Sequence, residues 1–314
     1  MSGNEHEQSR VEEKWAESSE VYSVDGFKVF WEALDLAAAY QIESAFDDRP
    51  WLEDILSRIP DAEGKGLRAL SLGCSYGEGV AANEFARSGH FREIVVVDIS
   101  SALLASQKRL TDELGLSEVL DYRRMELGKD SFAADESFDL IFAIGTLHHI
   151  SGLEQLFAQI NRILSATGLF CMREYIGPNR LQFTDRQTGI ATELLRALPE
   201  RLRTDNRGHV QATAWRPTAE EVIADDPSES IRSSELLGVA GESLAVEEIR
   251  FTGGSLLDPL LHGIAGNFES DPGGREILPL LIAFEKILVR EGVLDNDYAF
   301  VFARRRGPLD RAIE

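Results

Sequence analysis

The sequence has few cysteines and no long apolar run. Two cysteines in 314 residues, without metal-ligand spacing, exclude a disulfide framework and predict reduced thiols. No stretch of about 18 apolar residues is present, which argues against a membrane span. The polar residues 1–5 lack the apolar core of a signal peptide. We therefore expect a soluble, cytoplasmic protein.

Basic residues are also in short supply. Lysine and arginine number 32 against 54 aspartates and glutamates, which gives a formal net charge of -22. A surface with this charge repels the phosphates of nucleic acids and anionic lipids, and no local basic run offsets it. The predicted partner is therefore a small molecule, with neither nucleic acid nor membrane. The length is sufficient for one elaborated α/β domain or two smaller ones.

A glycine-rich turn between an apolar strand and a helix is the strongest positive signal. Gly73 and Gly77 stand in this turn, and a second apolar strand ends in Asp98. A glycine turn at a helix N-terminus lets ligand atoms approach bare backbone N–H groups. An acid at the tip of the second strand accepts hydrogen bonds from the hydroxyls of a ribose. The combination predicts a cofactor that contains a nucleoside.

The spacing of the glycines separates two kinds of cofactor. A dinucleotide fingerprint would place its second glycine at position 75, where the residue is Ser75. The run Leu70-Ser71-Leu72-Gly73-Cys74-Ser75, followed by Gly77, instead resembles motif I of the class I S-adenosylmethionine (SAM) methyltransferases. The run departs from that motif at Ser71, where the family usually has an acid that binds the methionine ammonium, and at Ser75, where it usually has glycine.

Two alternatives stay open at this point. A nicotinamide-dependent oxidoreductase fits the predicted sheet and Asp98 but does not fit the glycine spacing. A non-catalytic SAM-binding or oligomeric protein fits the lost acid at Ser71. The first would bind NADH, and the second would bind SAM without turnover.

A second motif supports the resemblance to the methyltransferases. An apolar strand that begins at Phe138 runs into Gly145 and Thr146 and then into His148 and His149. This segment resembles motif IV of the family. Neighbours on an extended segment face opposite ways, so one histidine should point into the cofactor crevice. No third ligand with suitable spacing lies nearby in the sequence, so no metal site is predicted.

The resemblance implies a set of cofactor-binding residues. Glu126 follows the third predicted strand, where the family holds the adenine amino group with an acid, and an ordinary exposed glutamate is the alternative. With SAM as cofactor and S-adenosylhomocysteine as product, the predicted binding residues are Leu72, Gly73, Cys74, Ser75, Gly77, Asp98, Ile99, Glu126, Gly145, Thr146 and His149.

The catalytic candidates are Glu174, His148 and Tyr175. Arg173, Glu174 and Tyr175 lie at the mouth of the fifth strand, where polar side chains are costly unless they are used or paired. Glu174 or Tyr175 is therefore predicted beside the acceptor atom, and the alternative is a structural Arg173–Glu174 ion pair. For a hydroxyl acceptor, His148 and Glu174 are candidate bases. For a carbon acceptor, Glu174 and aromatic side chains would stabilise a cation.

Flanking segments supply candidates for acceptor binding. They are Tyr22, Trp31, Arg173, Arg180, Arg232 and His262. The alternatives are core packing for Trp31 and for His262, and surface ion pairs for Arg180 and for Arg232.

Two helices are predicted in these flanking segments. Phe27, Phe30, Trp31 and Leu34 recur at i, i+3, i+4 and i+7, which predicts an amphipathic helix within residues 21–40. The run Asp226-Pro227-Ser228-Glu229 predicts a capping box that starts a helix.

The predicted fold class is α/β. A doubly wound, seven-stranded, mostly parallel sheet with an antiparallel last strand carries a helical N-terminal lid and an inserted helical cap. The expected divisions are residues 1–65 (lid), 66–176 (SAM-binding core), 177–243 (cap) and 244–314 (last core strands). The expected activity is biosynthetic methyl transfer from SAM to O or C of a small molecule (a secondary metabolite, sugar or isoprenoid) by in-line displacement. A homo-oligomer is compatible with this function.

Overall fold

A mixed β-sheet is the centre of the molecule. The computed structural model describes residues 23–24, 26–47, 49–60, 62, 64, 66–75 and 80–307. Within them, seven strands form the sheet: β3 (Leu67–Leu72), β4 (Phe91–Asp98), β5 (Leu120–Arg124), β6 (Phe138–Ile144), β7 (Leu164–Tyr175), β8 (Leu244–Phe251) and β9 (Tyr298–Arg305). A short hairpin, β1 (Ser23–Val24) and β2 (Phe27–Lys28), precedes it.

Helices cover the sheet and build the flanking segments. They are α1 (Asp35–Phe46), α2 (Trp51–Ser57), α3 (Ala81–Arg87), α4 (Ser101–Glu113), α5 (Leu153–Ile163), α6 (Asp185–Ala197), α7 (Ala219–Asp225), α8 (Leu236–Ser243), α9 (Leu257–Leu261), α10 (Asn267–Ser270) and α11 (Pro272–Arg290). Among the described residues, no helix is both long and apolar enough to cross a membrane.

The strand order confirms the predicted topology. The order is β5-β4-β3-β6-β7-β9-β8, and only β9 runs antiparallel to its neighbours among these seven strands. The chain winds outward from β3 in one direction and then returns to β6 on the other side. Ligands bind at such a reversal point, beyond the carboxyl ends of the strands. The loops after β3 and β6 therefore mark the expected site.

Three apolar clusters stabilise this arrangement. One lies between the sheet and α5 and includes Phe157 and Phe170, both fully buried. A second lies on the opposite face, under α3 and α4, and includes Phe85 and Phe142. Central strands such as β6 are apolar almost without interruption because both faces are covered. The third cluster, around Trp31, joins the N-terminal segment to α6, α9 and α11.

The helix predicted from the aromatic spacing of residues 27–34 is wrong. Phe27 lies in strand β2, residues 31–33 form one short 3₁₀ turn, and the first α-helix begins only at Asp35. Trp31 and Leu34 are nevertheless almost completely buried. The spacing therefore reflects burial of an irregular segment in the third cluster, and it does not reflect a helical face.

The capping box predicted at Asp226 is also wrong. Helix α7 ends just before this residue, and residues 227–230 form turns. The Asp226 carboxylate accepts hydrogen bonds from the backbone N–H and the hydroxyl of Ser228, both at 2.7 Å, so its side chain stabilises a turn. The capping box of this region lies at Thr218 and Glu221, where α7 begins.

Candidate active site

The turn after β3 requires glycine at its first position. Gly73 has φ +94°, and its N–H donates to the Val97 carbonyl at 2.9 Å. A Cβ at Gly73 would lie 2.1 Å from Oγ1 of Thr146. Thr146 belongs to the loop after β6, so a bare backbone lets the loops that end β3 and β6 touch. The structure thus brings motif I and motif IV together.

Asp98 fixes the same turn from the end of β4. Its Oδ2 accepts the Cys74 N–H at 2.8 Å, and its Oδ1 accepts the Ser100 N–H at 2.8 Å. Burial raises the pKa of this carboxyl, and the backbone N–H bonds oppose that shift. Two carboxylate oxygens offer about four acceptor positions, so Asp98 retains capacity for ligand hydroxyls.

A cavity of about 290 Å³ adjoins this turn. Ser71, Val96, Tyr122 and Phe142 line it from one row of register across four adjacent strands. Ser71 donates its hydroxyl to the Gly73 carbonyl at 3.0 Å. A longer acidic side chain at this position would project into the cavity.

Cys74 and Cys171 are both buried and form no disulfide with each other. Burial and the nearby Asp98 raise the pKa of the Cys74 thiol, and burial raises that of Cys171 to about 12. Both thiols therefore stay protonated and unreactive at neutral pH.

Glu174 anchors the loop after β6. Its Oε1 accepts the backbone N–H groups of Thr146 and Leu147, both at 2.8 Å, and its Oε2 lies 2.8 Å from Nδ1 of His148. The side chain is 1% exposed. Because all three donors converge on this carboxylate, Glu174 holds the His148 ring in one orientation.

Between the described residues Arg173 and Glu174 there is no ion pair, so the structural alternative for these two side chains is wrong. Arg173 is bound by the Glu32 carboxylate and by the Gln41 side chain. Successive residues of β7 point to opposite faces, so the two side chains serve different contacts. Glu32 also accepts from the Tyr298 hydroxyl at 3.1 Å, and that hydroxyl lies 3.0 Å from the buried Asp258 carboxyl.

The prediction that the two histidines point opposite ways is wrong, because residues 147–149 form a 3₁₀ turn and the rings of His148 and His149 lie 4.1 Å apart. Nδ1 of His149 lies 3.1 Å from the Ser228 hydroxyl, which itself donates to Asp226. Glu229 lies opposite both rings, with its oxygens 3.8 Å from Nε2 of His148 and 3.9 Å from Nε2 of His149. Sequence reasoning missed Glu229 as a site residue because it comes from the inserted segment, far along the chain from the histidines.

The charges of this group depend on each other. Burial opposes the charge on His148, but the hydrogen bond to Glu174 and the charge of Glu229 outweigh it and raise the pKa to about 9. Burial and the charge on His148 lower the pKa of His149. Burial disfavours ionised Glu229, but the two histidines lower its pKa.

Aromatic candidates for the acceptor site are largely buried. The Trp31 ring meets the Tyr298 ring edge-on at 5.5 Å, and Tyr298 meets Tyr175 at 5.3 Å. The Tyr175 hydroxyl donates to the Pro178 carbonyl at 3.2 Å, and its ring lies 6.4 Å from that of His148. These rings form a continuous row beside the histidine loop, which is the segment of residues 145–150 after β6 that carries His148 and His149.

His262 fits the packing interpretation. It stacks on Trp215 with ring centroids 3.5 Å apart and meets Phe30 edge-on. Burial lowers its pKa to about 4, so the ring is neutral near pH 7. The arrangement favours a role in packing over a role in acceptor binding.

The two arginines of the cap are taken up by protein groups. Arg180 donates to the carbonyls of Pro227 and Glu229, at 2.7 and 2.9 Å. Arg232 pairs with Glu154 and Glu235 at 2.6 and 2.7 Å. These contacts favour a structural role for both arginines. For Arg232 that role is the surface ion pair named as the alternative in the sequence analysis.

The remaining cofactor candidates lie around the loops or outside the described residues. Glu126 follows β5 and pairs with Lys129 at 2.5 Å. Leu72 ends β3, Ile99 follows β4 half-buried, and Gly145 follows β6 with φ +59°. Tyr22 and Gly77 lie outside the described residues.

The topology, the glycine turn and the acid at the end of β4 agree with the predicted α/β fold that binds a nucleoside cofactor. Residues 70–172 match the family described as "Methyltransferase domain". The matched segment contains both motifs on which the sequence resemblance to the class I SAM-dependent methyltransferases rests.

Individual proteins that resemble the chain share limited sequence identity with it. The probable S-adenosylmethionine-dependent methyltransferase CRG1 of Saccharomyces cerevisiae is 30% identical over 124 residues, which are 38% of this chain and 40% of that protein. The chain thus matches less than half the length of this curated relative. The crystal structure of geranyl diphosphate C-methyltransferase from Streptomyces coelicolor A3(2) superposes with a TM-score of 0.52, covering 95% of this chain and 98% of that one at 14% identity. At this identity, the likeness supports the fold alone.

Proposed function

We propose that the protein transfers a methyl group from SAM to a small-molecule acceptor. The observation that carries this proposal is the meeting of Gly73, Asp98 and Thr146 where the strand order reverses, within the segment that matches the methyltransferase domain. A glycine spacing unlike the dinucleotide fingerprint argues against the nicotinamide alternative.

The residues around the turn fit a nucleoside cofactor. Asp98 has acceptor capacity for ribose hydroxyls, and the backbone at Gly73 is bare enough for close approach. When bound, SAM supplies an already activated methyl group. The protein then mainly orients the acceptor and excludes water. Ser71 offers no charge to the methionine ammonium, so another group must hold it.

His148 is the proposed base for a hydroxyl acceptor. Glu174 accepts the Nδ1 proton of His148. With a pKa of about 9 the ring also holds a proton on Nε2 near pH 7, so Nε2 would take a proton from the acceptor only in the neutral form of the ring, whose share grows as pH rises toward 9. The carboxylate of Glu174 is enclosed by three donors, so it acts as a positioning residue for His148 and does not itself contact the acceptor.

Methylation at carbon is the second candidate. The row of Tyr175, Tyr298 and Trp31 presents aromatic rings that would stabilise a cationic intermediate. The structural neighbour from Streptomyces coelicolor is named as a C-methyltransferase of geranyl diphosphate, which makes isoprenoids reasonable first acceptors to test alongside hydroxylated metabolites and sugars.

Calorimetric titration with S-adenosylhomocysteine, with NADH as the comparison ligand, tests the cofactor. We expect binding of the first only, and we expect Asp98→Asn to weaken it at least tenfold because one or two hydrogen bonds to ribose are lost. Asp121→Asn is the matched control, since Asp121 lies exposed on the neighbouring strand and pairs with Arg123. Binding of NADH alone would overturn the proposal, and silence with both ligands would indicate a disabled site.

Two broader expectations remain proposals. The division into lid (1–65), core (66–176), cap (177–243) and C-terminal strands (244–314) is tested by limited proteolysis. Homo-oligomer formation is tested by light scattering on the purified chain.

A further inference from the structure

Three potential metal ligands meet at the edge of the histidine loop. His148, His149 and Glu229 each offer one atom, and these atoms all lie within 4.8 Å of one another. No other group of three His, Cys, Asp or Glu residues in the described part of the chain meets this criterion. All three side chains are at least partly buried, with exposed fractions of 12%, 11% and 28%.

Both histidines are oriented by a second residue. Glu174 binds Nδ1 of His148, and the Ser228 hydroxyl, itself bound to Asp226, lies against Nδ1 of His149. Metal-ligating histidines almost always engage their second ring nitrogen in this way, which fixes the ring and makes the ligating nitrogen more basic. In both rings it is Nε2 that lies toward Glu229.

Glu229 is also held in place. Arg180 donates to its carbonyl, and the Ser230 hydroxyl donates to its Oε1 at 2.6 Å. Arg180 and Ser230 have φ of 57° and 45°, a conformation that non-glycine residues rarely adopt. A tight, restrained turn thus brings the carboxylate to the histidines.

We propose that His148 Nε2, His149 Nε2 and the Glu229 carboxylate bind one divalent first-row transition cation. Two imidazoles and one carboxylate suit Zn²⁺, Co²⁺ or Fe²⁺, whereas Mg²⁺ and Ca²⁺ prefer sites made of oxygen ligands. Ligands at about 2.1 Å in a tetrahedral site lie about 3.4 Å apart. The pairs at 3.8 and 3.9 Å need to close by a few tenths of an ångström, and the two histidine nitrogens also need to move to that separation on binding.

Three protein ligands leave at least one coordination position open. If the methyltransferase function holds, on which this step rests, the open position takes an oxygen of the acceptor. The ion would lower the pKa of that hydroxyl so that its proton passes to solvent, and His148 would serve as a ligand in place of a base. The resulting oxygen would form a bond to the methyl carbon as the carbon–sulfur bond of SAM breaks, with S-adenosylhomocysteine as the leaving group. Substrates with an ionisable hydroxyl or a carboxylate near the methylated atom fit such a site.

The test uses the full chain without SAM or acceptor. Chelator-treated protein is titrated with Co²⁺, visible d–d absorption reports the ligand set, and Zn²⁺ competition and equilibrium dialysis give affinity and stoichiometry. We expect one Co²⁺ per chain, displaced by Zn²⁺ and not by Mg²⁺. Glu229→Gln and His149→Ala should each weaken binding more than about 100-fold, and Glu174→Gln by about 10- to 100-fold.

His209→Ala is the matched control, because His209 is an exposed histidine beside an acid, Asp205. It should bind Co²⁺ like the wild type, and circular dichroism verifies that each variant is folded. A wild type that fails to bind Co²⁺ or Zn²⁺ at 1:1, or binding that Glu229→Gln and His149→Ala leave unchanged, would overturn the metal site. Either result leaves the S-adenosylhomocysteine titration unaffected, so the two proposals fail separately.

Discussion

Replacing Glu174 by glutamine isolates the contact that orients His148. Oε1 accepts two backbone N–H groups, and an amide oxygen placed there preserves both bonds. The new NH₂ group then faces Nδ1 of His148, where the wild type has an acceptor at 2.8 Å. Two donors cannot share this contact, so the His148 ring should lose its charge and keep its single proton on Nε2. In that tautomer Nε2 does not take a proton, and it binds a metal only after the proton has moved back to Nδ1.

The expected loss of unfolding free energy follows from the three hydrogen bonds that Glu174 accepts. Hydrogen bonds to a charged group contribute about 1.5–3 kcal/mol and neutral ones about 0.5–1.5, so the two backbone bonds together lose about 2 kcal/mol in Glu174→Gln. Glu174→Ala leaves three buried donors unpaired at about 1–3 kcal/mol each, a loss of about 3–9 kcal/mol. Removal of a correctly placed base lowers turnover by about 10²- to 10⁴-fold.

Three measurements check this reasoning. Nitrogen-15 NMR of the histidines reports the tautomer of His148, urea unfolding gives the free-energy change, and methyl transfer to an identified acceptor gives kcat. We expect a folded Glu174→Gln protein with a shifted tautomer, unchanged S-adenosylhomocysteine affinity and reduced kcat. An unchanged tautomer, or Glu174→Ala as stable as the wild type, would refute the role assigned to Glu174.

Three further results are expected. Gly73→Ala should lose several kcal/mol of unfolding free energy and its S-adenosylhomocysteine binding, because the new Cβ meets Thr146. Gly89→Ala is the control: Gly89 also has a positive φ but faces open space, so urea unfolding should show a loss of only about 1 kcal/mol. Burial raises the pKa of Asp297 to about 7, so between about pH 4 and 7 the folded state keeps a proton that the unfolded state releases. The free energy of unfolding therefore falls as pH rises through this range, and Asp297→Asn should remove up to about 4 kcal/mol of that fall. Burial lowers the pKa of His262 to about 4, so its contribution is lost as pH falls from about 6.5 to 4; His262→Phe should remove that dependence, and a slope of the opposite sign in the wild-type-minus-variant difference would contradict it.

The core of the fold could be predicted because its signals are local. The apolar runs in β4 and β6 and the glycine turn between β3 and α3 are each set by neighbouring residues. The order of the strands followed from the family resemblance. Asp98 and Gly73 then fell at the reversal point by topology alone.

The errors occur where one pattern is compatible with two structures. The aromatic spacing from Phe27 to Leu34 fits a helical face, but it also fits an irregular segment that buries the same residues. Asp226 and Ser228 can cap a helix or close a turn with the same hydrogen bonds, and the preceding helix α7 leaves only the turn. Local spacing does not separate such cases, because tertiary packing decides between them.

The contact between Glu229 and the two histidines could not be predicted from the sequence, for a different reason. It joins two loops of the chain that are distant in sequence, and no periodicity records such a meeting. The sequence shows that the segment after α7 is polar. Where this segment packs depends on the hydrogen bonds of Arg180 and on the positive φ of that residue, which the sequence does not show.

The position of β9 determines how late in synthesis the sheet can be completed. Tyr298 pairs with Tyr175, and β9 also separates β7 from β8, so until the ribosome has made β9 the strand β8 has no partner in the sheet and β7 has only β6. At about 5–20 residues per second, the stretch from β7 to β9 takes on the order of ten seconds to translate. Throughout that interval the nascent chain presents an unpaired, apolar edge at β7, a surface on which chaperones act and on which premature association between chains begins.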